Sequence, residues 1–66
     1  MNNIKQIREA LGMKQSALAD RLGVRPPTVF KWENGMASPT VANLTAMADI
    51  LGCTTDELLG RKSASA

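Results

Sequence analysis

The stretch from Gln15 to Gly35, QSALADRLGVRPPTVFKWENG, contains two short helical segments joined by a tight turn. Leu18 and Ala19 fall in the first segment, Gly23 in the turn, and Val29 and Trp32 on the inner face of the second. Ala19 is small where two helices cross closely, and Gly23 reaches the positive φ that a sharp turn after a helix needs. Leu18, Leu22, Val24, Val29 and Trp32 are expected to bury the inside of the corner. Arg25, Pro26, Pro27, Thr28 and Lys31 are left outside, at the start of the second segment. A helix pair of this kind presents the start of its second helix to the major groove of DNA.

On either side, apolar spacing and stop signals predict further helices. A first helix spans about Asn3 to Leu11, with Ile4, Ile7 and Leu11 on one face, Asn2 or Asn3 as cap and Gly12 as stop. The second runs from about Gln15 to Leu22 and the third from about Pro26 to Asn34. A fourth is entered through Ser38-Pro39-Thr40 with Thr40 as cap. Val41, Leu44, Ala48 and Leu51 form its inward stripe, and Gly52 closes it. A short fifth helix covers about Thr55 to Leu59, with Thr54 and Glu57 spaced as a capping box and Gly60 as stop. No segment alternates as a strand does, and nothing repeats. The expected fold is all-α: a compact five-helix domain over residues 1–60, followed by a polar tail at 61–66.

With 66 residues the chain has room for one small core. One Cys and no His exclude an internal disulfide framework and leave a structural zinc site without its usual ligands. The lone Cys53 fits a reducing compartment, and no apolar run approaches the roughly 20 residues of a membrane span. A cytoplasmic protein is therefore expected, with no membrane contact, no metal, no cofactor and no small-molecule ligand. The net charge of +2 says little, but its distribution says more. Residues 1–35 carry six cations against three carboxylates, whereas residues 36–60 carry three carboxylates and no cation. The basic half is the half with the two-helix stretch, which favours a polyanion on one face. Without His, Tyr or an acidic pair in a cleft-like context, no acid–base or nucleophilic constellation can be assembled, and an enzyme is not expected.

The paired prolines shape the chemistry of the third helix. The first N–H groups of a helix have no intrahelical partner, so their loss costs little there. A residue before proline is pushed from helical ψ. Arg25 accommodates this as a cap, whereas Pro26 is less comfortable and predicts a start one residue late. Pro26 and Pro27 offer flat apolar surface suited to thymine methyl groups. Polar base contacts then fall to Arg25, Thr28 and Lys31, with either cation suited to guanine O6 and N7. Lys31 equally suits a phosphate alone. Trp32 is expected to pack inside. Phe30 lies nearly opposite the inward stripe and is expected to be partly exposed on the side of the second or fourth helix. Met13, Met36 and Met47 are read as gap-fillers.

The chain resembles the Cro/cI-type helix-turn-helix family of phage repressors and related bacterial regulators. The residues that carry the resemblance are Gln15, Leu18-Ala19, Leu22-Gly23-Val24, Val29, Trp32-Glu33-Asn34-Gly35, Pro39, Leu44, Ala48, Leu51-Gly52 and Leu58-Leu59. The resemblance spans residues 4–60. It implies a five-helix domain of the lambda-repressor-like type that binds operator DNA as a homodimer. It implies phosphate contacts at Gln15, Asn34 and Gly35, and an ion pair between Arg8 and Glu33 that braces the first helix against the third. Lys14 stands where the family often has Thr or Ser as a cap, which suggests a phosphate contact in exchange for a cap bond. The loop Met36-Ala37-Ser38 lacks the bases many members carry, so phosphate contact there falls to backbone N–H groups, including that of Met36, and to Ser38.

The expected activity is that of a sequence-specific DNA-binding transcription regulator of the Cro or prophage-repressor kind. The apolar pair near the chain end points to a dimer surface made of Cys53, Thr54, Thr55, Leu58 and Leu59. A rival reading is a protein-interaction module, such as an antitoxin, whose helices bind a protein partner. The prolines and the modest net charge keep that reading open.

Overall fold

The computed structural model describes residues 2–61. Of the expected tail at 61–66, only Arg61 lies within the described residues. Five helices follow one another: α1 Ile4–Ala10, α2 Gln15–Leu22, α3 Pro26–Glu33, α4 Val41–Leu51 and α5 Thr55–Leu58. No strand occurs among the described residues.

The helix ends are set by local chemistry. Thr40 Oγ1 accepts the Asn43 N–H at 3.1 Å and starts α4. Thr54 Oγ1 accepts the Glu57 N–H at 3.0 Å while Glu57 Oε1 accepts the Thr54 N–H at 2.9 Å, which completes the capping box on α5. α1 is begun differently: Asn3 is the cap residue without a side-chain bond, and Asn2 Oδ1 accepts the Ile4 N–H at 3.1 Å. At the end of α2, Gly23 stands at φ 71° and lets Val24 N–H donate back to the Ala19 carbonyl at 3.0 Å. This left-handed closure turns the chain sharply into α3.

Ile4, Leu18, Ala19, Val29, Trp32, Met47, Ala48, Leu51 and Leu58 form the buried core. α2 and α3 pack most extensively on each other, α4 packs on α2 and α5, and α1 lies against α3. Two expected core residues are outside it. Leu11 is 56% exposed, because it follows the last turn of α1 just before Gly12 redirects the chain. The place one turn after Ile4 is taken by Arg8, which is buried. Val41 is 80% exposed at the first position of α4, whose inward row runs through Leu44, Met47, Ala48 and Leu51. Met47 fills the core as expected, whereas Met36 is exposed and fills nothing.

Candidate nucleic-acid interface

α3 is held chiefly from its C-terminal end. Arg8 Nε donates to Glu33 Oε2 at 2.7 Å and its Nη2 to Glu33 Oε1 at 3.2 Å. Arg8 Nη1 donates to the Met13 carbonyl at 2.7 Å. Both side chains are removed from water, with 7% of Arg8 and 1% of Glu33 exposed. The bond to Glu33 raises the Arg8 pKa above its ordinary value, over the lowering that burial brings. A buried charge pair is tolerable only when its remaining hydrogen-bonding groups are satisfied. Among the described residues, no buried side-chain nitrogen or oxygen lacks a partner. The Asn2 amide adds a further tie, Nδ2 donating to the Trp32 carbonyl at 2.7 Å.

Gln15 Nε2 donates to Glu33 Oε1 at 2.8 Å. The start of α2 is thereby joined to the end of α3, which brings Lys14 and Gln15 to the same end of the motif as Asn34 and Gly35. Neither side chain at that end is wholly free: the Gln15 amide is engaged by Glu33, and Asn34 Nδ2 donates to the Phe30 carbonyl at 2.8 Å. Lys14 is exposed, and its extended backbone caps α2 without a side-chain bond. The first N–H groups of α2 are therefore left open by the chain. Gly35 takes φ 71°, and Met36 and Ser38 follow it exposed.

The N-terminal end of α3 is the opposite case. Arg25 is extended at ψ 148° and forms no side-chain cap bond, as a residue before proline must do. The helix begins at Pro26 itself and not one residue later. The first turn closes through Thr28 N–H donating to the Arg25 carbonyl at 2.9 Å. Arg25, Pro26, Pro27 and Lys31 are exposed and Thr28 is half-buried. An eight-residue helix is about 12 Å long, and that length separates Arg25 and Pro26 from Asn34 and Gly35, whereas Lys31 stands in the last turn beside them.

Phe30, expected to be partly exposed opposite the inward stripe, is so, although sequence reasoning assigned it no contact with DNA. It is 49% exposed, whereas its neighbours Val29 and Trp32 are buried. Its spacing of three and four residues from Pro27 and Pro26 was the available signal. The bond from Gln15 to Glu33 was missed and leaves no trace in residue spacing.

The expected dimer set lies on the link after α4 and on α5. Leu58 is fully buried in the core and has no surface to offer a partner, which corrects its assignment there. Four residues after Thr54, its side chain falls on the inner face of this one-turn helix. Thr54 and Leu59 are exposed, and Cys53 and Thr55 are half-buried. Burial, followed by the Glu57 carboxylate, pushes the Cys53 thiol pKa up. An open groove of about 590 Å³ between α1 and α5, lined in part by Ile7, Ala10, Glu57 and Arg61, shares no residue with either expected set. Among the described residues no cluster could hold a metal ion, and no helix is long and apolar enough to cross a membrane.

This arrangement is shared with known proteins. The cryptic phage CTXphi transcriptional repressor RstR of Vibrio cholerae is 39% identical over 54 residues, which is 82% of this chain and 48% of the relative. The SPbeta prophage-derived HTH-type transcriptional regulator YonR of Bacillus subtilis is 39% identical over 56 residues, 85% of this chain and 52% of the relative. The chain thus spans about half the length of these curated relatives. The P22 c2 repressor, solved in complex with a synthetic operator, matches with a TM-score of 0.82 at 32% identity over 89% of both chains. Hydroxypropylphosphonic acid epoxidase from S. wedmorenis matches with a TM-score of 0.78 at 38% identity, over 85% of this chain but only 30% of the enzyme. That likeness takes in one part of the enzyme. Residues 4–58 match the helix-turn-helix family, and with the α2–turn–α3 geometry above, the chain belongs to that family, in its Cro/cI-type branch.

Proposed function

We propose that this protein is a sequence-specific regulator of transcription that binds double-stranded operator DNA as a homodimer, with α3 in the major groove. One observation carries the reading: the N-terminal end of α3 stands clear of side-chain bonds to the rest of the chain, with Arg25, Pro26 and Pro27 exposed there and Lys31 exposed in the last turn, on a motif braced from its other end. The likeness to a repressor solved on its operator supports this reading. Arg25 reads guanine O6 and N7 as a bidentate donor. Pro26 and Pro27 meet thymine methyl groups, and Thr28 and Lys31 complete the base contacts. Lys14, the open N–H groups at the start of α2, and the backbone of Gly35 and Met36 with Ser38 hold phosphates on either side. Gln15 and Asn34 contribute through the second N–H of each side-chain amide, which their intrachain bonds to Glu33 and the Phe30 carbonyl leave free. The dimer forms through Cys53, Thr54, Thr55 and Leu59 and sets two copies of α3 roughly 34 Å apart. The protein acts in the cytoplasm without cofactor or catalysis.

Selection from a random duplex pool at near-physiological salt tests this. The expected result is a two-fold symmetric motif with half-sites about 10 bp apart. Only weak, salt-sensitive binding without a motif would refute it and favour a protein-interaction module.

A further inference from the structure

On the outward face of α3, Pro26, Pro27, Phe30 and Lys31 follow one another at helical spacing, while Val29 and Trp32 are turned into the core. Long side chains on a helix lean toward its N-terminus, so the Phe30 ring covers the turn that begins with the two prolines. The ring is 49% exposed and is not part of the apolar core. Neither proline has an N–H, and the Thr28 N–H is engaged by the Arg25 carbonyl. The middle of this face therefore offers no backbone donor. Arg25 and Lys31, both exposed, border it. An apolar strip bordered by cations fits a polyanion that displays an apolar group between its phosphates. In the major groove that group is the thymine 5-methyl.

We propose that Phe30 determines specificity: with Pro27 it forms an apolar wall that reads a thymine 5-methyl group in each half-site of the operator. The inference rests on the DNA-binding reading above and extends it to a residue that the helix-start pattern does not include.

The test uses the full chain and the duplex recovered by selection. Each thymine is replaced in turn by deoxyuridine, which removes only the methyl group. For the unaltered protein, one or two thymines per half-site are expected to be sensitive, with affinity falling about fourfold per methyl removed. In Phe30→Ala the same replacements should change affinity less than twofold, because the methyl no longer has its partner. Phe30→Leu should retain most of the discrimination. Both variants should melt near the parent, since the ring is half in water. Equal deoxyuridine sensitivity in the parent and in Phe30→Ala, or no sensitive thymine at all, would overturn the role of Phe30 and leave the DNA-binding reading standing. A selection that recovers no motif would overturn both.

Discussion

At its C-terminal end, α3 is tied to three parts of the chain: Glu33 accepts from Arg8 and Gln15, and the Trp32 carbonyl accepts from Asn2. At its N-terminal end, two prolines carry no N–H, Arg25 caps with backbone alone, and one bond from Thr28 closes the first turn. An isolated helix of this length is unstable in water, so its order must come from tertiary contacts. Those contacts are concentrated at one end and on the inner face through Val29 and Trp32. The other end is left with side chains that make no hydrogen bond to the rest of the described residues. A rigid helix with an unoccupied end is what a reader of an external surface requires.

The sharpest way to break this contrast is to remove Glu33. Glu33→Ala strands a buried guanidinium and is expected to destabilise the fold by about 3–5 kcal/mol, read as a fall in the urea midpoint. If Glu33→Ala melts like the parent, the brace is not structural. Arg8→Met should be destabilising for the same reason, because it leaves the Glu33 carboxylate buried, and Arg8→Met with Glu33→Leu should recover much of the loss. Next in size, Arg25→Ala is expected to weaken operator binding by about 1–3 kcal/mol and to relax preference at one base, while leaving the melting curve in place. A uniform loss across sequences would make Arg25 a phosphate contact instead. Smaller still, Pro27→Ala should change stability by less than about 1 kcal/mol, through the unfolded chain rather than through any lost contact. A larger loss would show that the N-terminal end of α3 is itself part of the scaffold.

Much of the scaffold was legible in the residues. The glycine stops, the Thr40 cap and the Thr54–Glu57 box are local signals, and each acts where the spacing put it. The inner positions Leu18, Ala19, Val29 and Trp32 followed from periodicity. Leu11 and Val41 did not, because a periodic row does not say whether its terminal member still faces a neighbour. Leu58 and Leu59 are adjacent apolar residues that look alike in sequence, yet the helix turn buries one and leaves the other 38% exposed. The resemblance gave Gln15 a phosphate contact but no partner within the chain, and its amide also meets Glu33, 18 positions away, which only packing brings near. Phe30 was legible as a partly exposed residue opposite the inward stripe, and it is 49% exposed, but the five residues read as base contacts did not include it.

The most direct test of α3 as a helix braced at one end and reading DNA with the other is dimethyl sulfate probing of guanine N7 on the selected duplex. A recognition helix in the major groove predicts two clusters of protected guanines one helical turn apart, with protection lost in Arg25→Ala and retained in Lys14→Ala. Guanine N7 that stays fully reactive along a bound duplex would contradict it, because the major groove would then be open.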